Sequence, residues 1–204
     1  MANVHVRFRK QLLWIILDRP PLNLLTFEML GQLHEALRLA LKQKPHLLVI
    51  AGTGDQDFCA GVELMGDAEG QQAELLKVGT DICVAFDELR THNIATVALV
   101  KGNAFRAGSE LVALCDTVIA HENASFRLPA VNGKVFPCAL SVSLPAAIGQ
   151  EATTRLMQSG ETLHAKDAWR LGFVQQVLSP QRFLSDAEEL LVMLASLSDR
   201  TPTQ

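Results

Sequence analysis

The 204-residue chain contains no tyrosine, and its phenylalanine and tryptophan bring the aromatic share to only 5%. A mechanism that needs a phenol as proton donor or ligand is therefore closed to it. The four cysteines, Cys59, Cys83, Cys115 and Cys138, are widely scattered and form no C-x-x-C pair. That argues against zinc, an iron–sulfur cluster or a disulfide scaffold and fits a reducing cytoplasm. Lys and Arg number 18 against 22 Asp and Glu, unclustered, for a net charge of −4. No nucleic-acid or anionic-membrane footprint is present. Nowhere do about 18 apolar residues run together, and residues 1–10 lack the apolar centre of a signal peptide. His5, His34, His46, His92, His121 and His164 show no metal-ligand spacing and read as surface or loop residues. The expectation is a soluble, cytoplasmic protein without a metal site.

What remains is an ordinary globular composition, 49% hydrophobic and 20% charged. A single domain over residues 1–204 is expected, long enough to bury about 70% of its unfolded surface without metal or disulfide support. Short apolar or β-rich runs predict strands at 4–8, 12–17, 47–51, 94–100, 117–120, 125–128 and 173–178. Helical spacing predicts a helix after Thr26, its N-cap, ending before Pro45. Further helices are expected over 71–89, 107–115, 139–148, 151–158, 165–171 and 182–197, with a frayed tail. This alternation is an α/β pattern with largely parallel pairing and helices on the faces. In such sheets ligands sit beyond the carboxyl ends of the strands, which directs attention to the loops after Ala51 and Val100.

Both loops carry chemistry. The first reads D-F-C-A-G-V-E-L over residues 57–64, the second G-N-A-F-R-A-G-S-E-L over 102–111, followed by Cys115 and Asp116. Small residues let backbone approach a ligand closely, and a loop that opens a helix leaves N–H groups unpaired. Two such loops can place two N–H donors around one oxygen, the arrangement that stabilises a carbonyl gaining negative charge. Taken alone, Glu110 fits a structural acid at a helix start. Glu63 fits an acid bonding loop N–H groups, and Asp116 a strand-start or turn acid. Cys59 and Cys115 fit small core residues.

The motif pair F-C-A-G-x-E-L and G-x-A-x-x-A-G-x-E-x-x-x-x-C-D, in this order and separation, resembles the crotonase (enoyl-CoA hydratase/isomerase) superfamily. Pro21-Leu22-Asn23-Leu24, residues 124–129, Leu144-Pro145 and the segment 165–178 match as well. The resemblance implies an α/β fold, a crotonase-like spiral of ββα units with helices on the faces. The core would span about 4–178, followed by a shortened C-terminal helical segment at about 179–198. It implies further that the backbone N–H groups of Val62 and Ala107 form an oxyanion hole for a thioester carbonyl, with Glu110 as acid and base. Asn23, Leu24, Ala60, Gly61, Glu63, Leu64, Arg106, Gly108 and Ala130 would line the substrate and coenzyme A path. No cofactor is implied, because coenzyme A enters as part of the substrate, an acyl-CoA or acyl-carrier-protein thioester of fatty or aromatic acid metabolism. The family's assembly implies a homo-oligomer, a trimer or hexamer.

The chain also departs from that pattern. Ala130 stands where a hydratase carries its second glutamate, and alanine transfers no proton. Arg106-Ala107-Gly108 replaces a run of three glycines, and Lys134 replaces another glycine. Arg106 either points to solvent, binds a substrate carboxylate, or depresses the pKa of Glu110. The alternatives to a hydratase-like lyase or an isomerase are thus a decarboxylase or dehydratase of a carboxylated acyl thioester that uses Arg106, or a catalytically silent relative that binds CoA thioesters or only assembles. The shortened C-terminal segment further implies an acyl pocket that is open or completed by another subunit.

Overall fold

Lys10 and Gln11, both at positive φ (51° and 65°), turn strand β1 (Asn3–Arg9) back onto β2 (Leu12–Asp18) as an antiparallel hairpin. In this computed structural model residues 3–63, 68–128 and 139–198 are described, with the side chains of 68–71, 139–143 and 198 excepted. Helix α1 (Phe27–Gln43) starts as its sequence predicts: Thr26 is extended and its hydroxyl accepts a hydrogen bond from Met29 N–H at 3.2 Å. Lys44, in the left-handed conformation, ends it.

From there the chain runs as a spiral. Strand β3 (Leu47–Gly52) is followed by the short β4 (Asp57–Cys59) and helix α2 (Ala68–Thr91). The same order recurs as β5 (Ala95–Val100), β6 (Asn103–Phe105) and α3 (Ala107–Leu114), and then as β7 (Thr117–His121), β8 (Ser125–Arg127) and helices α4 (Ala139–Ile148) and α5 (Gln150–Ser159). Strand β9 (Thr162–His164), helix α6 (Ala165–Leu171), strand β10 (Gln176–Leu178), a 3-10 turn (Pro180–Arg182) and helix α7 (Phe183–Ser198) complete it. Each turn gives one strand to each of two sheets. The first has the order β1-β2-β3-β5-β7-β10, parallel except at β1; the second is β4-β6-β8-β9. This is the α/β spiral of ββα units.

One face of the six-stranded sheet, with Leu13, Ile15, Leu48, Ile50 and Ala98, joins Met29, Leu33 and Leu37 of α1 in one core. The opposite face, with Leu12, Val49, Val97 and Ile119, packs on Phe183, Ala187 and Leu191 of α7 in another. Three readings of the sequence need correction. The strands β4, β6 and β9 are absent from the periodicity because three residues are too few to display it. The strand expected over 173–178 shrinks to Gln176–Leu178, because the Phe173 and Val174 amides donate to Ala168 O and close α6 instead. His121 is neither a surface nor a loop residue: it is buried in β7 with its Nδ1 accepting from Asn123 N–H at 3.0 Å, whereas the strand residues His5 and His164 do lie at the surface.

Candidate active site

The parallel pairing of β4 with β6 sets Cys59 opposite Ala104. Val62 and Ala107 each lie three residues beyond that matched pair, at the carboxyl ends of neighbouring strands. Leu25 donates to Gly61 O and accepts from Glu63 N–H, both at 2.9 Å, so the N–H of Val62 between them is turned away from Leu25. Ala107 is the first residue of α3, where an amide has no acceptor within the helix. Neither N–H has an acceptor among the described residues.

The two loops touch. A Cβ on Gly108 would lie 2.0 Å from the carbonyl oxygen of Cys59, so only glycine lets the first turn of α3 sit directly on β4. Ser109 Oγ, buried, lies 2.5 Å from Ala104 O and 3.1 Å from Arg127 O, tying the same turn to β6 and β8. Arg106 precedes α3 at φ 52°, ψ −117°, its side chain exposed and its stem lying across Gly61.

Glu110 occupies the first turn of α3 and is only 1% exposed. Neither carboxyl oxygen has a hydrogen-bond partner among the described residues. Burial pushes its pKa up to about 9, so the carboxyl is neutral at pH 7. Burial is the sole cause, and the option that Arg106 depresses this pKa is therefore not realised. A buried carboxyl one turn from the Ala107 amide can donate a proton when neutral and take one when ionised.

The loop after β2 holds the first of these amides in place. Arg19 grips Glu63 with Nη2 at 2.9 and 2.7 Å from the two carboxylate oxygens, while Nη1 reaches Leu24 O at 3.4 Å. Among the described residues Glu63 is held by this guanidinium and not by the loop N–H groups the sequence suggested. Asn23, expected along the coenzyme A path, is fully buried; its amide donates to Thr53 O at 2.8 Å and Asp57 O at 2.7 Å and accepts from Arg19 N–H at 2.9 Å. Its side chain shapes the loop from inside. Leu24, Ala60 and Gly61 lie in the segments flanking that network. Leu64, Ala130 and Lys134 fall outside the described residues.

The cysteines behave as packing residues. Burial raises the Cys59 thiol to about 12 and raises Cys115 as well. Half-buried Cys83 on α2, which carried no signal in the sequence, is raised to about 11, first by burial and then by the charge of Glu110. Asp116 accepts from Thr96 N–H at 2.8 Å and Oγ1 at 2.6 Å and pairs with Arg90 at 3.0 Å, a structural clasp between strands. A groove of about 290 Å³ on the α7 side, between Trp14, Ile16, Leu99 and Leu191, reaches Gly52 and Lys101 but no residue of the two motifs at 57–64 and 102–111. Among the described residues no helix is long and apolar enough to cross a membrane.

Residues 7–202 match the family model described as enoyl-CoA hydratase/isomerase. A carnitinyl-CoA dehydratase of Proteus mirabilis is 30% identical over 197 residues, 95% of this chain and 75% of that one. The Salmonella arizonae protein of the same name is 33% identical over 182 residues, 88% and 69% of the two chains. Among solved structures, an enoyl-CoA hydratase/isomerase family protein from Silicibacter pomeroyi superposes with a TM-score of 0.82 at 31% identity, over 95% of this chain and 84% of that one. An enoyl-CoA hydratase from Bacillus halodurans gives 0.82 at 26% identity, over 95% and 80%.

Proposed function

The chain belongs to the enoyl-CoA hydratase/isomerase family of CoA-thioester enzymes, and from that premise we propose that it forms a thioester enolate in the cleft between its two loops. The N–H groups of Val62 and Ala107 receive the thioester oxygen as it gains charge. Two preorganised donors in a water-poor site supply the main stabilisation, each contributing on the order of 10²–10³ in rate. Glu110 handles the proton. Its ionised fraction, small at pH 7, takes the α-proton so that the C–H electrons pass into the enolate, and the neutral carboxyl so formed returns that proton to the α-carbon, to the γ-carbon or to a leaving hydroxyl, which departs as water. The reaction is a hydration or dehydration, or a double-bond shift. It needs no cofactor, since coenzyme A or a carrier protein arrives with the acyl group.

The observation that carries this reading is the buried carboxyl of Glu110 one turn from the amide of Ala107, both without a hydrogen-bond partner among the described residues. Dehydration is favoured within it by the relatives named carnitinyl-CoA dehydratase.

The test is exchange of the α-protons of butyryl-CoA with deuterated solvent, followed by NMR, beside turnover of crotonyl- and carnitinyl-CoA. Wild-type protein should exchange the α-protons and Glu110→Gln should not. Binding without exchange or turnover would establish a silent thioester-binding relative, and exchange that survives Glu110→Gln would remove Glu110 from the mechanism.

A further inference from the structure

Arg106 stands where the backbone favours glycine, at φ 52° and ψ −117°. A side chain kept in such a conformation beside unpaired amides marks a functional position. Its stem lies against the other loop: Cβ and Cδ both lie 3.6 Å from the position a Cβ on Gly61 would occupy. The stem therefore spans from the Ala107 loop to the Val62 loop. Its guanidinium makes no ion pair or hydrogen bond among the described residues, whereas Arg19, Arg38, Arg90, Arg127 and Arg170 all have partners. The nearby acid cannot neutralise it, because Glu110 is buried and uncharged. Among the described residues this exposed guanidinium, carried by the residue before Ala107, therefore has no counter-charge.

Building on the enolate reading of the same site, we infer that the acyl group of the substrate carries its own carboxylate, which Arg106 binds. Guanidinium and carboxylate match in a bidentate, charge-assisted pair. Reach selects the acyl end as the source of the anion. The phosphates of coenzyme A are separated from the thioester by the whole pantetheine arm, which is longer than an arginine side chain, so an arginine beside the oxyanion amides meets groups near the thioester. A cationic acyl group, such as that of a carnitinyl thioester, meets repulsion at this position instead.

The experiment is calorimetric titration of wild type, Arg106→Gly and Arg106→Lys with succinyl-CoA, glutaryl-CoA, butyryl-CoA and free coenzyme A, with Arg7→Ala on β1 as control. In the wild type one of the dicarboxylic thioesters should bind at least about tenfold more tightly than butyryl-CoA. That preference should fall to about one in Arg106→Gly, stay intermediate in Arg106→Lys and persist in Arg7→Ala. Glycine suits φ 52°, so an unchanged or raised Tm shows that Arg106→Gly is folded. A ratio of one in the wild type, or a ratio that survives Arg106→Gly, would overturn the inference. Equal weakening of all four ligands would assign the anion to the coenzyme A phosphates and overturn it too. Failure of butyryl-CoA and the dicarboxylic thioesters alike would instead bring down the enolate reading beneath it.

Discussion

Arg19 and Glu63, 44 residues apart in the chain, meet in a two-oxygen contact at 2.9 and 2.7 Å that clamps the loop after β2 against the loop carrying Val62. The Val62 amide sits between the two hydrogen bonds that Leu25 makes to Gly61 and Glu63. The aim of that amide consequently depends on where Glu63 is held.

Arg19→Ala should therefore cost more in activity than in stability. Both side chains are about one-third exposed, at 32% and 30%, so the pair contributes less than about 1 kcal/mol to folding. On the proposed role of the Val62 amide, displacing it costs about tenfold or more in kcat. Denaturant unfolding and α-proton exchange on the same variant separate the two effects, and a larger stability loss than activity loss would show a purely structural clamp.

Stability should fall as pH rises from about 4.5 towards about 9. Glu110 has its pKa raised by burial from 4.5 to about 9, so across that window the folded chain holds a proton that the unfolded chain has released. The penalty is absent below about pH 4.5 and reaches about 3 kcal/mol at pH 7. Glu110→Gln carries no such proton. Its stability relative to wild type should rise by about that amount between pH 4.5 and 7, as read by urea unfolding at the two pH values.

Gly108→Ala should be severely destabilising, by about 3 kcal/mol or more. The added Cβ meets the Cys59 carbonyl at 2.0 Å, and both partners are backbone held in β4 and α3, with no flexible side chain to yield. Thermal unfolding against wild type checks it. Gly31→Ala, with nothing within 4 Å of the new Cβ, should instead leave the Tm unchanged or raise it.

Native thiol labelling at neutral pH should leave Cys59 and Cys115 unmodified. Both are buried and burial raises both pKa values, so neither thiolate forms nor meets reagent. Mass spectrometry after alkylation of folded and denatured protein distinguishes them, with modification expected only after denaturation.

Local patterns settled much of this protein in advance. The α1 helix and its Thr26 cap, the apolar strands β2, β3 and β5, and the two loop motifs with Glu110 could be read because each depends on neighbours within a few residues. The second sheet could not be read that way. Its three-residue strands carry no periodicity, yet their pairing sets Cys59 opposite Ala104 in the two strands that lead to Val62 and Ala107. Tertiary structure also decided the charge of Glu110, since desolvation depends on what packs around a side chain and not on its neighbours in the chain. It gave Glu63 its partner 44 residues away and laid the Arg106 stem across Gly61. The sequence by itself determined which groups could do chemistry. Register, burial and long-range pairing, which arise only when distant segments meet, decided how those groups are aimed and charged.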